Sequence, residues 1–579
     1  MQDRDVNDGS PGVIDAPART RPGDDSPARR TALVLDDSPA RLTALLILTA
    51  VILTRFSWTP TFLGTDSVNL AYSLESFDPL RHQPHPPGYP LFVGVARIVN
   101  FVAMNAEVTF WILSVLATVA AALILYLFAR RIASRWVGFA SVILFLLNPI
   151  LWFSRLRSPL RPWLAVFSLL VGYCAWRAWH AEKKFVVWGA LALGVGAGFR
   201  PDSLIYLFPL WAISTWKSRA PWKTVIAAAA VVSGFAMLWF VVIAEAMGGV
   251  SSMLRTIAAY LSFQSAKDSL FFAGSMREWL RPISRFVLWN AMGLLGWIWA
   301  PLLFRRRPTA PMPWAFVAAW LVPGLAFQLL LHVGEPDHTL FSIPVLCLIG
   351  AMVVSSMGRW RETIVVVAAT ISAALFLNAA PGEPPSPQAS TLEKTWASLR
   401  NTIAYGTFET SMGRLQWNED TQMYSIQELW RFAAAERPTV VVALNGTDKE
   451  FDFINWRVIS YYVTERPIWT LMDNVPAGEP NGRLRMVRRM DVRELPGSTV
   501  TLPWNARVLW VMLPGGRFHR ALEQHLPVRR GRYILYSDIP PGAAGFDIEG
   551  FQFRFEGAPA DLHVPPPPIP AARPVVVSE

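Results

Sequence analysis

Long apolar runs recur along this sequence and determine the solvent in which the chain must fold. Many of them reach the roughly 20 residues that an α-helix needs to cross a bilayer. Charged residues make up 16% of the 579 residues, whereas soluble domains carry about 25%. The Lys and Arg residues behind the net charge of +11 lie mainly in short segments between apolar runs, the pattern that orients helices in a membrane. The sequence therefore predicts a mainly α, polytopic transmembrane helical bundle in a lipid bilayer and argues against nucleic-acid binding.

About eleven spans account for the apolar runs. Basic residues after every second span, among them Arg130, Lys183, Lys217, Arg305 and Arg359, fall on one side of the membrane if the N-terminus is cytoplasmic. This alternation requires residues 185–216 to form two short spans rather than one kinked element. We expect a multi-pass protein of the cell (plasma) membrane whose 62–107 loop and C-terminal region are extracytoplasmic. The spans lie near residues 41–61, 108–129, 136–153, 162–179, 185–199, 203–216, 223–246, 284–304, 313–333, 339–357 and 362–379.

Changes in composition divide the chain into five parts. They are a disordered cytoplasmic tail (1–40), a transmembrane catalytic domain (41–380), a linker (381–390), a small extracytoplasmic α/β domain (391–563) and a Pro-rich disordered tail (564–579). Within the α/β part, the apolar pattern predicts strands near 439–444, 467–471, 507–513, 531–536 and 550–555, and a helix over 451–463.

A polar stretch directly after the first span places a carboxylate and two imidazoles at the membrane rim. Asp66 lies within Gly64-Thr65-Asp66-Ser67, and a carboxylate held beside spans that exclude water suits a general base for a hydroxyl acceptor. The alternative is that Thr65 or Asp66 is the N-cap of a helix. His82 and His85 flank prolines that fix their backbone. Their imidazoles suit phosphate binding, proton relay or a metal site. The alternative is that they cap polar backbone groups at the membrane interface.

Arginines form a second feature of the predicted outer face. Arg155, Arg157 and Arg161 follow the third span, and a cation cluster opposite a carboxylate indicates a phosphate or diphosphate clamp. The alternative is that these side chains reach lipid phosphates. Arg200 and Asp202 interrupt an apolar region. Ionisable residues at such a position usually line a polar cavity, and the alternative is that the two side chains only pair with each other.

The segment His332–His338 is the last polar cluster of the spans. Glu335, Asp337 and His338 suit recognition of donor or acceptor, or a divalent ion, and a plain polar turn explains them equally well.

The two cysteines lie in apolar runs, which excludes a disulfide framework or a Cys metal site. Nucleotide-binding and nucleophile-elbow motifs are absent from the sequence, so no cofactor is expected.

The run His85-Pro86-Pro87-Gly88-Tyr89-Pro90-Leu91 after a carboxylate loop resembles the polytopic GT-C superfamily of glycosyltransferases, and within it the branch related to protein O-mannosyltransferases. The resemblance covers residues 41–380 in topology, and its specific motifs lie in 64–92. It implies an extracytoplasmic base at Asp66, a polyprenyl-phosphate-linked sugar donor and an outer C-terminal domain. Two departures stand out: position 69 is Asn where the related pattern carries Glu, and the 154–161 loop lacks a carboxylate.

The sequence thus predicts a membrane glycosyltransferase that moves a sugar from a polyprenyl-phosphate carrier to an acceptor hydroxyl. Arg155, Arg157 and Arg200 would hold the donor phosphate, and Asp66 would act as the base. His82, His85, Tyr89, Asp202, Glu335, Asp337 and His338 would contact substrate. The alternatives are a lipid-linked sugar flippase or transporter and a non-catalytic protein that binds lipid-linked sugar; the sugar and the protein or glycan acceptor are not specified by the sequence.

Overall fold

The computed structural model describes residues 62, 64–268, 276–293, 312–331, 335–379, 390–433 and, with short gaps, 438–557. The expected tails 1–40 and 564–579, the first span near 41–61 and most of the linker 381–390 lie outside the described residues.

Helices account for most of the described chain up to residue 433. They are α1 (Thr65–Glu75), α2 (Pro90–Ala103), α3 (Ala106–Ile132), α4 (Arg135–Leu146), α5 (Pro149–Arg157), α6 (Pro162–Trp179), α7 (Lys184–Phe199), α8 (Ser203–Lys217), α9 (Trp222–Ala246), α10 (Val250–Asp268), α11 (Met276–Gly293), α12 (Trp314–Leu331), α13 (Ile343–Ser355), α14 (Arg361–Asn378), α15 (Thr391–Phe408) and α16 (Met412–Ala433). Short 3-10 helices at Pro79–Arg81, Pro336–Phe341 and Gly358–Trp360 join some of them.

Side-chain caps explain where several helices begin. Asn105, Ser134 and Asn148 each accept a backbone N–H in the first turn of α3, α4 and α5. Ser390 and Glu393 form a reciprocal capping box at the start of α15. Such caps satisfy backbone donors that have no partner inside the helix, and they fix the short connections that hold polar residues at the helix ends.

Four helices in the described part of the chain are long and apolar enough to cross a membrane: α3, α9, α12 and the segment Gly358–Asn378. A fifth is added if α4 and α5, which are bent by 52° at their junction, form one broken span. The expected helices at 185–199 and 203–216 are present as α7 and α8. The count of eleven spans stays a prediction, since residues 41–61 and 294–304 lie outside the described residues.

The C-terminal region, which we define as residues 390–557, ends in two small sheets. The strands are β1 (Thr439–Asn445), β2 (Ile468–Met472), β3 (Arg483–Arg488), β4 (Asp491–Leu495), β5 (Thr499–Pro503), β6 (Arg507–Val511), β7 (Arg529–Arg530), β8 (Leu535–Asp538), β9 (Phe546–Ile548) and β10 (Phe551–Glu556). A seven-stranded sheet has the order β4-β3-β2-β1-β6-β8-β7, and a three-stranded sheet has the order β5-β10-β9. Two helices, α17 (Trp456–Tyr462) and α18 (Arg517–Leu522), accompany them.

The centre of the larger sheet is parallel and buried on both faces. β1 pairs in parallel with β2 and β6, and a strand covered on both faces reads as a continuous apolar run. Val508 and Trp510 of β6 pack in one core cluster, while Leu509 packs with Ile459 of α17 in another. Helix α17 therefore covers one face of the sheet, and its other side contacts α1.

Candidate active site

Asp66 lies in the first turn of α1, close to an imidazole. The N-cap of this helix is Gly64, so the alternative that Thr65 or Asp66 is the N-cap is wrong. The carboxylate still benefits from the helix dipole, which favours an anion in the first turn. Its Oδ1 lies 3.7 Å from Nδ1 of His85, and its side chain is 44% exposed. The carboxylate is therefore accessible to a substrate and borders a buried polar group.

The turn between α1 and α2 holds His85 against Tyr89. The Tyr89 hydroxyl lies 2.5 Å from Nε2 of His85, and both residues are buried. Gly88 has φ +89°, and a Cβ there would meet Phe77 and Pro79 at 3.2 Å, so this turn requires glycine. The result is a line of three side chains, from the Asp66 carboxylate through the imidazole to the phenol.

An ion-pair network joins α5, the start of α6 and the 3-10 helix Pro336–Phe341. Nη2 of Arg161 lies 2.9 Å from Oε2 of Glu335, and its Nε lies 3.1 Å from Oδ2 of Asp337. Arg157 reaches the other oxygen of Glu335 at 3.5 Å. The Arg157 backbone carbonyl also accepts a hydrogen bond of 2.6 Å from the Ser67 hydroxyl. This last bond fixes the network directly beside the helix that carries Asp66.

Arg200 and Asp202 form a bidentate pair between α7 and α8. Nε of Arg200 lies 2.9 Å from Oδ1 of Asp202, and Nη2 lies 2.8 Å from Oδ2. The Tyr206 hydroxyl donates to the same carboxylate at 2.9 Å. Nε2 of His338 lies 3.4 Å from Nη2 of Arg200. The two side chains therefore pair with each other, which is one of the two interpretations that the sequence allowed. The pair also adjoins the 3-10 helix that carries Asp337.

The charges of several of these groups act on His85. Burial lowers its pKa; the charges of Arg161 and Arg200 lower it further, and those of Asp66 and Glu335 raise it. Contacts link these groups: Asp66 lies 3.7 Å from the imidazole, Arg161 pairs with Glu335, and Nη2 of Arg200 lies 3.4 Å from Nε2 of His338. Nη1 of Arg161 and Nη1 of Arg200 are buried and have no hydrogen-bond partner among the described residues. Two guanidinium donors of these ion pairs are thus available to bind an anion.

Arg155 points elsewhere. It lies two residues before Arg157 in α5, and two residues correspond to about 200° around a helix. Its side chain is buried, and its Nε has no partner in the described part of the chain. The structure therefore places Arg157 and Arg161 in one ion-pair network beside the Asp66 helix and Arg200 next to His338, whereas Arg155 lies on another face of α5.

Glu335, Asp337 and His338 have potential ligand atoms within 4.8 Å of one another, a spacing that would suit a metal ion. Oxygen-rich sets of this kind suit hard divalent cations. Here, however, Arg157 and Arg161 bind the same carboxylates, and an ion would have to compete with both guanidinium groups. The geometry favours an ion-pair network over a metal site.

Two residues near the site were not identified from sequence. The Tyr260 ring of α10 lies 6.3 Å from the His82 ring and 6.1 Å from the His85 ring, measured between centroids. Arg457 of α17 donates to Asn69 of α1 and to the carbonyl oxygens of Arg81 and His82. The sequence offers one indication for Tyr260, its position in a long segment between apolar runs. No local sequence pattern predicts that Arg457 lies near the site.

Comparison with known proteins identifies the fold. No family model and no curated protein matches this sequence. The chain is similar to the crystal structure of ArnT from Cupriavidus metallidurans bound to undecaprenyl phosphate, with a TM-score of 0.56 and 12% identity over 88% of this chain and 100% of that chain. The apo state of the same protein gives a TM-score of 0.51 and 13% identity over 90% of this chain and 100% of that one. The GT-C fold implied by the sequence resemblance is confirmed.

Proposed function

We propose that this protein is an inverting membrane glycosyltransferase that moves a sugar from a polyprenyl-phosphate carrier to an extracytoplasmic hydroxyl. One observation carries the proposal. A partly exposed carboxylate, Asp66, lies 3.7 Å from the buried imidazole of His85, and the Ser67 hydroxyl next to it bonds to Arg157, which shares Glu335 with Arg161. Nη1 of Arg161 and Nη1 of Arg200 are buried and have no hydrogen-bond partner among the described residues. A fold-level neighbour was solved with undecaprenyl phosphate bound, and a lipid phosphate is the anion that such donors would bind.

The reaction requires one base and one anion site. Asp66 accepts the proton of the acceptor hydroxyl, whose oxygen attacks the anomeric carbon while the bond to the carrier phosphate breaks on the opposite face. The polyprenyl phosphate leaves with the bonding electron pair. Donors fixed where that negative charge develops lower the barrier, and Arg161 and Arg200 are held in place by Asp337 and Asp202 before substrate arrives.

His85 and Tyr89 orient the base. Burial raises the pKa of Tyr89, so its hydroxyl stays protonated and donates to Nε2 of His85. Burial lowers the pKa of His85, and a neutral imidazole that accepts at Nε2 carries its proton on Nδ1. That proton faces Asp66 across 3.7 Å, a separation that a small shift on substrate binding would close to a hydrogen bond.

The remaining sequence-predicted residues take the following places in this proposal. Arg157 holds Glu335 at the edge of the anion site, and Asp202, Asp337 and His338 position the arginines. The proposal replaces Arg155 by Arg161 as a phosphate ligand, because α5 turns Arg155 away from the network.

The variant Asp66→Asn tests the proposal. Removal of a general base costs about 100-fold to 10,000-fold in rate, and the amide preserves the shape of the side chain. Transfer from a panel of polyprenyl-phosphate sugars would be measured for both proteins, at equal abundance and with undecaprenyl phosphate binding as the control. Transfer by Asp66→Asn at the native rate would contradict the role of Asp66.

One sequence feature favours a second candidate, a non-catalytic protein that binds lipid-linked sugar. The segment Ser154–Arg161 contains no carboxylate. Binding of undecaprenyl phosphate without transfer of any sugar in the panel would support this candidate.

A further inference from the structure

We propose that Arg457 is a positioning residue by which helix α17 of the C-terminal region sets the orientation of the Asp66 helix and of the turn that carries His82 and His85. This inference rests on the proposed function for its kinetic consequence, and its structural consequence can be measured without any activity.

The guanidinium of Arg457 joins two chain segments that together frame the site. Its Nε donates to Oδ1 of Asn69 at 2.5 Å. Its Nη2 donates to the carbonyl oxygens of Arg81 and of His82, the latter at 3.3 Å. Arg457 is 7% exposed and Asn69 is 4% exposed. One buried side chain thus connects α17 to α1 and to the end of the 3-10 helix Pro79–Arg81.

The bond to Asn69 bears directly on Asp66. Residues three apart in a helix lie on neighbouring positions of one face, so a bond that fixes Asn69 also fixes the rotation of α1 about its axis. The guanidinium further lies 5.5 Å from the centroid of the Tyr72 ring, one turn later on the same helix. The orientation of the carboxylate therefore depends on a residue 388 positions away from Asn69.

The bonds to the two carbonyl groups fix the other wall of the site. His82 has φ 57°, a conformation that few residues other than glycine adopt, and its carbonyl is one of the acceptors of Arg457. A cation is also favourable at the carbonyl end of a helical turn. Since His85 follows three residues later, Arg457 constrains the path on which the imidazole approaches Asp66.

The same α17 helix provides a matched control. The Tyr462 hydroxyl accepts from the Phe62 backbone N–H at 2.8 Å and donates to Glu107 at 3.1 Å. This contact also joins the C-terminal region to the rest of the chain, but it does not touch α1 or the His82 turn. The variant Tyr462→Phe therefore weakens the same interface and leaves the positioning contacts intact.

The experiment compares Arg457→Gln, Arg457→Lys and Tyr462→Phe in the full-length protein. Amide hydrogen exchange would be measured over residues 65–82, together with kcat and the KM for the lipid donor. We expect Arg457→Gln to raise exchange over residues 65–82 and to lower kcat by up to about 100-fold, the cost of a misplacement of about 1 Å, with KM unchanged. Arg457→Lys should recover part of the loss in kcat, and Tyr462→Phe should leave both readouts at the native level.

Two results would overturn the inference. One is an unchanged rate of amide exchange over residues 65–82 in Arg457→Gln. This measurement needs no transfer assay, so it tests the inference even if the proposed function is wrong. The other is an equal fall in kcat for Arg457→Gln and Tyr462→Phe, which would assign the effect to loss of docking alone. Absence of transfer in the unsubstituted protein would contradict the proposed function and leave the exchange comparison as the test of positioning.

Discussion

Removal of Arg161 should destabilise the protein far more than removal of an exposed arginine in an ion pair of similar length. Arg161 is 7% exposed and pairs with both Glu335 and Asp337, and the Asp337 side chain is 1% exposed. In Arg161→Gln the Asp337 carboxylate would stay buried without its cation. Breaking a buried pair from one side costs about 3–5 kcal/mol, and we expect a loss of this size in the free energy of unfolding.

A double-mutant cycle gives the contribution of the pair itself. Asp337→Asn leaves Arg161 bound to Glu335, so its cost should be about 1–3 kcal/mol, as for a lost hydrogen bond to a charged group. The double variant removes the buried charge together with its partner. Its cost should fall short of the sum of the two single costs by about 0.5–3 kcal/mol, the range found for residues in contact.

Unfolding in detergent micelles, followed by the fluorescence of the 26 tryptophans, provides the measurement. Arg554→Gln serves as the control, because Arg554 and Asp547 pair at 2.8 Å with side chains 43% and 61% exposed. An exposed pair contributes about 0–1 kcal/mol. Additive costs for Arg161→Gln and Asp337→Asn would refute the reasoning, since Asp337 would then not depend on Arg161 for its stability.

Two further predictions concern packing and pH. Gly172→Ala should lower the free energy of unfolding by about 1–3 kcal/mol through overpacking, because the new Cβ would lie 2.2 Å from the buried Trp320 ring. Gly234→Ala is the control and should not destabilise the protein, since no atom lies within 4 Å of its Cβ position. Equal effects of the two substitutions on the unfolding temperature would contradict this prediction. Desolvation of the ring and then the charge of Arg457 lower the pKa of His82 from 6.5 to about 4. Because the residue is exposed, solvent screens part of this effect, and the neutral form contributes a small stability above pH 6.5 that is lost as the pH falls toward 4. His82→Asn, which tolerates the same left-handed backbone, should therefore show a smaller fall in unfolding temperature between pH 6.5 and 4, and identical pH profiles would exclude His82 as a cause.

Local sequence patterns predicted the groups that are close in the chain. Asp66, His85 and Tyr89 lie in one short stretch, and the prolines and Gly88 between them restrict the backbone enough for their proximity to be expected. Their roles as base and substrate contacts stay predictions. The pairing of Arg200 with Asp202 follows in the same way from two-residue spacing at a helix break.

The choice among the arginines needed the exact extent of a helix. The sequence around Arg155 and Arg157 does not show which of them faces the site. Only the fact that both lie in the continuous helix α5 places them on different faces. Arg161 lies beyond the end of that helix, and its partners come from the 3-10 helix about 175 residues later. Spacing within the 154–161 segment could not predict those partners.

The strands show a similar division. The patterns that predicted β1, β2, β6 and β10 form strands at those positions. The first three are apolar because they lie in the centre of the larger sheet and are covered on both faces, whereas β10 alternates apolar and polar residues, the period of a strand with one buried face. The predicted strand at 531–536 is displaced, since the structure has strands at Arg529–Arg530 and Leu535–Asp538. β3, β4, β5 and β9 were not predicted, because polar residues interrupt each of them and none carries a long apolar run: Arg483–Arg488, Asp491–Leu495, Thr499–Pro503 and Phe546–Ile548.

The bond from the Phe62 amide to the Tyr462 hydroxyl spans 400 residues, and this separation bears on biosynthesis. A chain leaves the ribosome from its N-terminus at about 5–20 residues per second, so the segment around Asp66 emerges long before α17 exists. During that interval the nascent helices lack the contacts that Arg457 and Tyr462 supply. A product that terminates prematurely, anywhere ahead of residue 456, would therefore lack the side chains that hold the Asp66 helix and the His82 turn in place.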